Sequence, residues 1–177
     1  MPQAKSWVEE MVSEYLILKG YFVLTDVGIG AARRGGRYDI DIVAINPKSN
    51  EIRIVDIRGM HQGTPNKIAS QSLNTLNRAE NKMRSKYGNN YTYVKELVLV
   101  GKDGPKVKDV ETRLHGAGIT VKSLDNIIRE IMHYIDKWRQ YQKKAGLVKQ
   151  NTNPSLPDTL YLLKLLEFIK DNFQFTF

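Results

Sequence analysis

Two aspartates lie within apolar segments of the chain, where an ionised side chain is unfavourable. Asp41 begins the apolar segment at residues 41–45, and Asp56 lies near the end of the segment at residues 52–57. Both segments are typical of central strands that are covered on both faces. Because removing a carboxylate from water is costly, a buried carboxylate is usually paired with a cation or bound to a metal ion. The two aspartates therefore form a candidate cation-binding site.

The spacing of these residues predicts that they meet at one end of a hairpin. Residues 46–50 (Asn-Pro-Lys-Ser-Asn) form a turn-rich connection that is short enough to join two antiparallel strands. Side chains alternate along a strand, so Asp56 shares a face with Arg58, and Asp39 shares a face with Asp41. We expect Asp41 and Asp56 to lie together, with Arg58 one side-chain step further along. Asp39 is an alternative to Asp41 on the same face.

The order of these residues resembles the motif of a known enzyme family. Glu9 falls on a predicted opening helix, Asp41 on a strand, and Asp56 and Arg58 on the next strand. Over residues 5–130, this order resembles the PD-(D/E)XK nuclease superfamily, and most closely its archaeal Holliday-junction resolvase and Mrr-like restriction endonuclease branches. In this comparison, Arg58 stands where the family has its final lysine.

The resemblance implies a fold, an activity and a ligand set. The fold would be a restriction-endonuclease-like α/β sandwich around a central mixed sheet, and the activity would be metal-dependent hydrolysis of DNA, including branched or structured DNA. Asp41, Asp56 and the backbone carbonyl of Ile57 would hold Mg²⁺ or Mn²⁺, and Glu9 would hold a second ion or a metal-bound water. Such an ion binds oxygen ligands, lowers the pKa of its water and neutralises charge on the phosphate. Related enzymes often act as homodimers, because cutting two strands needs two sites.

The arginine in the lysine position leaves two other functions open. Arginine is always protonated and planar, so Arg58 is suited to holding a phosphate but is a poor proton acceptor. The chain would then be a catalytically weakened nuclease fold that serves as a nucleic-acid-binding or assembly subunit. A purely structural protein is the third hypothesis, in which Asp56 pairs with Arg58 or Arg53 and Glu9 is an ordinary solvated helix residue.

A loop rich in glycine and arginine is predicted at residues 28–37, immediately before the Asp41 strand. It is not a dinucleotide-binding fingerprint, because Arg33 replaces the third small residue and no helix follows. Arg33, Arg34 and Arg37 are candidate contacts with a nucleic-acid backbone. The alternative is a solvated loop without a ligand.

A polar helix predicted at residues 66–87 carries a further candidate site residue. Mrr-like relatives have a glutamine near the site on the corresponding helix, which suggests Gln71 for that role here. The cations on or near the same face are Lys67, Arg78, Lys82, Arg84 and Lys86. Their density predicts contact with a phosphate backbone, and Lys67 is the candidate nearest the helix start. An ordinary solvated helix remains the alternative, since Glu80 interrupts the series.

The composition is consistent with a polyanionic partner. The chain has 177 residues, a formal net charge of +8 and a pI near 9.6, which favours a partner such as DNA. It has no cysteine, which excludes disulfides and thiolate metal sites. No apolar run approaches the length of a membrane span, and the amino terminus lacks the apolar core of a signal peptide. We therefore expect an intracellular, cytoplasmic protein with no membrane partner.

The predicted elements alternate between helices and strands, as in an α/β fold with a C-terminal helical extension. The helices are expected at 4–19, 66–87, 107–115 and 124–144, and the strands at 21–27, 41–45, 52–58, 97–101 and 119–122. We assign residues 1–145 to a nuclease-like domain, 146–157 to a linker, and 158–177 to an apolar C-terminal helix. That helix is expected to pack on the core, on the preceding long helix or on a second subunit.

Overall fold

The computed structural model describes residues 6–31 and 37–172, in which helices and strands alternate as the sequence predicts. The strands are β1 (Phe22–Ala31), β2 (Arg37–Asn46), β3 (Glu51–Gly59), β4 (Thr92–Val100) and β5 (Ile119–Ser123). The helices are α1 (Trp7–Leu18), α2 (Pro65–Tyr87), α3 (Pro105–Leu114), α4 (Leu124–Lys144) and α5 (Tyr161–Asn172). This architecture confirms the predicted α/β class with a mixed central sheet and a C-terminal helix.

The described strands form one sheet in the order β1-β2-β3-β4-β5. The first three strands pair antiparallel as a meander, and the last two pairings are parallel. Parallel neighbours need a crossover, which α2 supplies between β3 and β4 and α3 supplies between β4 and β5. Both crossover helices pack on the same face of the sheet. We call this layer the α2-side core, and its strand residues include Ile40, Val43, Ile52, Ile54, Leu97 and Leu99.

Helix α1 contacts β1 and β2, and its buried residues do not belong to the α2-side core. It therefore covers the opposite face of the sheet. Ser6 caps its first turn by accepting a hydrogen bond from the N–H of Glu9 at 3.2 Å. Gly20 follows the helix with φ +86°, a conformation that favours glycine and ends the helix where the sequence predicts. These two signals fix the position of Glu9 in the first turn.

Helix α2 has local start and stop signals of the same kind. Thr64 accepts a hydrogen bond from the N–H of Lys67 at 3.4 Å, and Pro65 occupies the first turn, where its missing N–H is harmless. Gly88 ends the helix with φ +80°. Because α2 follows β3 after one short 3-10 turn at Met60–Gln62, its first half is held close to the end of β3.

Strand β2 begins at Arg37 rather than at residue 41, and β1 and β4 are also longer than predicted. Gly28 pairs with Asp39 and Gly30 pairs with Tyr38, so residues 28–31 continue β1 and their prediction as loop is wrong. Strand β4 begins at Thr92 rather than at residue 97, and it pairs with β3 along its whole length. In each case polar or glycine-rich residues adopt strand structure because a neighbouring strand binds their backbone.

The chain divides into two compact units, residues 1–125 and 126–177. The sequence predicts the first boundary at residue 145, whereas the contacts of the structure group α4 from Asn126 onward with α5. Within the second unit, Arg139 donates to Glu167 at 2.8 Å and to Asp171 at 2.6 Å. Glu167 also accepts the N–H of Leu156, so the segment at residues 146–157 is tied to α5 near its end.

None of the helices in the described ranges combines the length and the apolar character needed to cross a membrane.

Candidate functional site

The two candidate aspartates lie where strands β2 and β3 separate. The two strands pair from Asn46 opposite Glu51 as far as Ile42 opposite Val55. Beyond that pair, β2 continues beside β1, and β3 continues beside β4. Asp41 and Asp56 would form the next pair of this ladder. We call this opening between β2 and β3 the strand fork.

Asp41 bonds to the backbone of β3 across the strand fork. Its Oδ2 accepts a hydrogen bond from the N–H of Ile57 at 2.6 Å, in place of a bond from one strand to the other. The N–H and C=O of a strand residue project toward the same neighbour, so the carbonyl of Ile57 also faces the fork. The sequence-predicted ligands Asp41, Asp56 and the Ile57 carbonyl are therefore near one another.

The environment of Asp41 favours its neutral form. The pKa of Asp41 is raised to about 7, first by burial and then by the negative charges of Asp56 and Glu9. The hydrogen bond from Ile57 and the positive charge of Arg58 act in the opposite direction. Near neutral pH the carboxyl group is therefore part protonated, and a cation at the fork would favour its ionised form.

Asp56 is buried and paired. Its side chain is 6% exposed, and its Oδ2 accepts a hydrogen bond from Nε of Arg58 at 2.6 Å. Of the two internal partners suggested by the sequence, Arg58 is the one that binds Asp56. Arg53 binds Glu51 at 2.9 Å and Glu96 at 2.7 Å instead.

Arg58 connects the strand fork to α2. Its guanidinium donates to Oε1 of Gln71 at 3.4 Å and to Oγ1 of Thr75 at 3.1 Å. The structure therefore brings Gln71 next to the aspartates. Thr75 was not singled out from the sequence. The signal that could have found it is its spacing of four residues from Gln71, which places both on one side of the helix.

Glu9 has a structural role in the cap of α1. Its carboxylate accepts a hydrogen bond from the hydroxyl of Ser6 at 2.9 Å, which complements the bond that the Glu9 N–H donates to the same hydroxyl. Its charge acts on the pKa of Asp41, so it lies within electrostatic reach of the fork. The structure thus shows that Glu9 is part of the cap of α1. Its binding of a second metal ion or a metal-bound water stays a prediction.

Asp39 does not take the place of Asp41. Ile40 and Val43 both belong to the α2-side core, so the regular alternation of faces is interrupted between them. Opposite Asp41 on β1, Asp26 has φ +52°, an unusual backbone conformation for a residue other than glycine. Asp39 is exposed, whereas Asp41 is bonded to β3.

The predicted nucleic-acid contacts are only partly within the described residues. Lys67 is exposed in the first turn of α2, one turn before Gln71. Arg33 and Arg34 lie outside the described residues. Arg37 is the first residue of β2. The proximity of these arginines to the fork thus remains a prediction.

The two aspartates fit a divalent ion whose other ligands are mostly water and substrate phosphate. No group of three or more His, Cys, Asp or Glu side chains suited to a metal occurs within residues 6–31 and 37–172. Oδ1 of Asp41 and Oδ1 of Asp56 accept no hydrogen bond from a described residue. Mg²⁺ often binds through one or two carboxylates and fills its remaining positions with water and substrate phosphate. A pair of carboxylates with a nearby backbone carbonyl is sufficient for that mode.

A comparison of the chain with models of known protein families gives no match, and a search of curated proteins gives none either.

Proposed function

We propose that this protein is a metal-dependent endonuclease that hydrolyses phosphodiester bonds in DNA, including branched or structured DNA. The observation that carries the proposal is the strand fork. Two strands of a central sheet part there, and Asp41, Asp56 and the carbonyl of Ile57 are left around the opening. The hydrogen bond from Ile57 is a structural role for one oxygen of Asp41, and the pKa of about 7 that burial favours at this opening supports a functional role beside it.

Each residue has a defined part in this proposal. Asp41 and Asp56 hold Mg²⁺ or Mn²⁺, which when bound activates water and neutralises charge on the phosphate. Arg58 contacts the phosphate and stabilises negative charge through the N–H groups that Asp56, Gln71 and Thr75 do not use. Gln71 and Thr75 are positioning residues, because they hold the guanidinium of Arg58 in place.

A cleavage assay tests the proposal. The purified chain would be incubated with linear, single-stranded and four-way-junction DNA in Mg²⁺, Mn²⁺ or chelator. We expect cleavage that requires the metal and falls at least about 100-fold in Asp41→Asn and Asp56→Asn. Asp109→Asn is the matched control, because Asp109 lies on α3 and its side chain is 44% exposed. Absence of cleavage by the wild type, or full activity in Asp56→Asn, would contradict the proposal.

The second candidate function is a nucleic-acid-binding or assembly subunit with a weakened catalytic site. The observation that favours it is the ion pair between Arg58 and Asp56, which already neutralises one of the two carboxylates. Arg58→Lys distinguishes the candidates, because lysine is a compact ammonium that can lose its proton. A wild type that binds DNA without cutting it, together with an Arg58→Lys variant that cuts, would establish the second function.

A homodimer is part of the same proposal, because cutting both strands needs two sites. The exposed apolar side chains of α5 offer a surface for it: Tyr161, Leu165 and Phe168 are 73%, 53% and 57% exposed and lie on one side of the helix. Light scattering of the wild type should give twice the mass of the chain, and Leu165→Glu should give a single chain.

A further inference from the structure

One side of α2 carries a row of polar and cationic residues that passes the strand fork. We call this row the α2 stripe, and it consists of Lys67, Gln71, Thr75, Arg78 and Lys82. Their spacing of three or four residues places them along one side of the helix. Two members have partners on the β1–β2 hairpin, because Arg78 lies over the ring of Tyr38 and Lys82 donates to the carbonyl of Gly28 at 2.7 Å. The stripe therefore leads from Arg58 to that hairpin.

Arg78 is held in a defined orientation on the protein surface. The centre of its guanidinium is 4.6 Å from the centroid of the Tyr38 ring, and its Nε donates to Oδ1 of Asn74 at 3.1 Å. Both residues of the pair are exposed to solvent, and the exposed fraction of Tyr38 is 38%. An arginine that is already oriented loses less conformational entropy on binding than a flexible cation does. Within residues 6–31 and 37–172, no side chain or carbonyl is bonded to the terminal N–H groups of Arg78.

The charge around this pair suits a polyanion. Helix α2 contains a single acidic residue, Glu80, which pairs with Arg84 at 2.8 Å and with Lys95 at 3.0 Å. Asp39 is adjacent to Tyr38 in sequence. Since Tyr38 shares the face of Ile40, Asp39 lies on the opposite face of β2. The carboxylates near the pair are thus neutralised or point elsewhere.

We propose that the Tyr38–Arg78 pair is a stacking contact for an unpaired DNA base beside the strand fork, and that it gives the protein a preference for DNA with unpaired nucleotides. The inference rests on the proposed function and names its substrate class. Bases within a duplex stack on their neighbours, whereas an unpaired base is free to stack on a guanidinium or an aromatic ring. Arg78 makes the contact, and Tyr38 is a positioning residue that keeps the guanidinium plane in place.

The position of the pair agrees with a substrate that spans both sites. Arg78 is three residues from Thr75, a rise of about 4.5 Å along a helix. Tyr38 is three residues from Asp41, a distance of about 10 Å along a strand. A DNA strand whose phosphate lies at Asp41 and Asp56 thus reaches Arg78 within a few nucleotides. The unpaired base is expected on the side of the cut that faces the β1–β2 hairpin.

Binding in chelator tests the inference without any cleavage. Fluorescence anisotropy would compare a duplex containing a short single-stranded gap with an intact duplex of the same sequence. We expect the wild type to bind the gapped DNA about tenfold more tightly. Tyr38→Ala and Arg78→Lys, which both retain the positive charge on α2, should lose this preference. Tyr38→Phe, which keeps the ring, should retain the preference.

Arg84→Ala is the matched control for charge. Arg84 is also an exposed arginine of α2 and lies 4.3 Å from the ring centroid of Tyr93, but it is not part of the α2 stripe. Its loss should leave the preference for gapped DNA unchanged. Thermal unfolding of every variant shows that the fold is intact, and the two conservative variants remain informative if Tyr38→Ala is unstable.

The outcomes separate this inference from the proposed function. Equal affinity of the wild type for gapped and intact DNA overturns the inference, and so does an unchanged preference in both Tyr38→Ala and Arg78→Lys. Cleavage without a preference for gapped DNA supports the proposed endonuclease and contradicts only the stacking contact. A preference that depends on Tyr38, in a protein that does not cut, supports the contact and favours the binding subunit.

Discussion

Asp41 is the residue at which the stability of the fold and the proposed activity have opposite requirements. The fold favours its protonated form, because burial raises the pKa of Asp41 to about 7. Metal binding requires its ionised form, since a carboxylate ligand must first lose its proton. An ion at the strand fork would resolve this conflict by supplying the positive charge that the surroundings lack. Metal binding by this site should therefore strengthen as the pH rises through 7.

Replacement of Asp41 by asparagine should stabilise the fold at alkaline pH. The pKa of Asp41 is about 7 in the folded chain against an ordinary 3.8, so the folded state binds the extra proton between these values. The contribution of Asp41 to stability is therefore largest below pH 4 and is lost as the pH rises through 7. In chelator at pH 8, Asp41→Asn should raise the free energy of unfolding by about 1–3 kcal/mol.

Urea unfolding at pH 5 and pH 8 measures this difference. The gain from Asp41→Asn should be smaller at pH 5, where much of the wild-type carboxyl group is already protonated in the folded state. The N–H of Ile57 keeps an acceptor in the variant, so the comparison isolates the charge. A variant that is destabilised equally at both pH values would show that Asp41 is a structural carboxylate.

The residues that meet at the strand fork could be predicted from residue types, but the exact geometry of the fork could not. The apolar segments around Asp41 and Asp56 were enough to predict that the two residues meet. The bond between Arg58 and Thr75 joins residues seventeen positions apart, and no local pattern indicates it. The positive φ of Asp26 interrupts the alternation of faces near Asp41, and strand periodicity assumes that no such interruption occurs.

At the scale of elements, β4 shows why strand boundaries are harder to predict than strand existence. Its second half is apolar and was predicted, whereas residues 92–96 are mostly polar. Glu96 is only 3% exposed in this strand. It is stabilised by Arg53 from β3 at 2.7 Å and by Lys122 from β5 at 3.3 Å. Because both partners come from other strands, their effect on Glu96 is invisible in the local sequence.

Removal of Glu96 should weaken the sheet. Glu96→Ala leaves Arg53 and Lys122 partly buried without their shared carboxylate, and the expected loss is about 3 kcal/mol in the free energy of unfolding. Urea denaturation measures the loss. The control is Asp109→Ala, which breaks the ion pair between Asp109 and Arg113. Both of these side chains are 44% exposed, so the loss should be less than about 1 kcal/mol. Equal losses in the two variants would refute this account of β4.

At the scale of the whole molecule, the net charge of +8 is distributed unevenly. Helix α2 carries five lysines and arginines with one glutamate, and its α2 stripe lies beside the strand fork. Composition predicts a polyanionic partner, and the structure adds that the side of α2 with these cations also contacts Arg58 and the β1–β2 hairpin. The charge and the site therefore support the same kind of ligand.

The salt dependence of DNA binding should report the α2 stripe directly. Each phosphate contact releases counterions, so Lys67→Ala and Arg78→Ala should each reduce the slope of log affinity against log salt by about one. Arg113→Ala on α3 is the control, since Arg113 is paired with Asp109 and lies outside the stripe. Titrations of intact duplex in chelator provide the slopes. If only Arg113→Ala reduces the slope of log affinity against log salt, the DNA binds to another surface.

The central claim is that Asp41 and Asp56 together hold a divalent ion at the strand fork, and calorimetric titration with Mn²⁺ at pH 8 tests it most directly. The account predicts saturable binding by the wild type, loss of that binding in both Asp41→Asn and Asp56→Asn, and unchanged binding in Asp109→Asn. A wild type that binds no Mn²⁺, or variants at Asp41 and Asp56 that bind it as the wild type does, would contradict the claim.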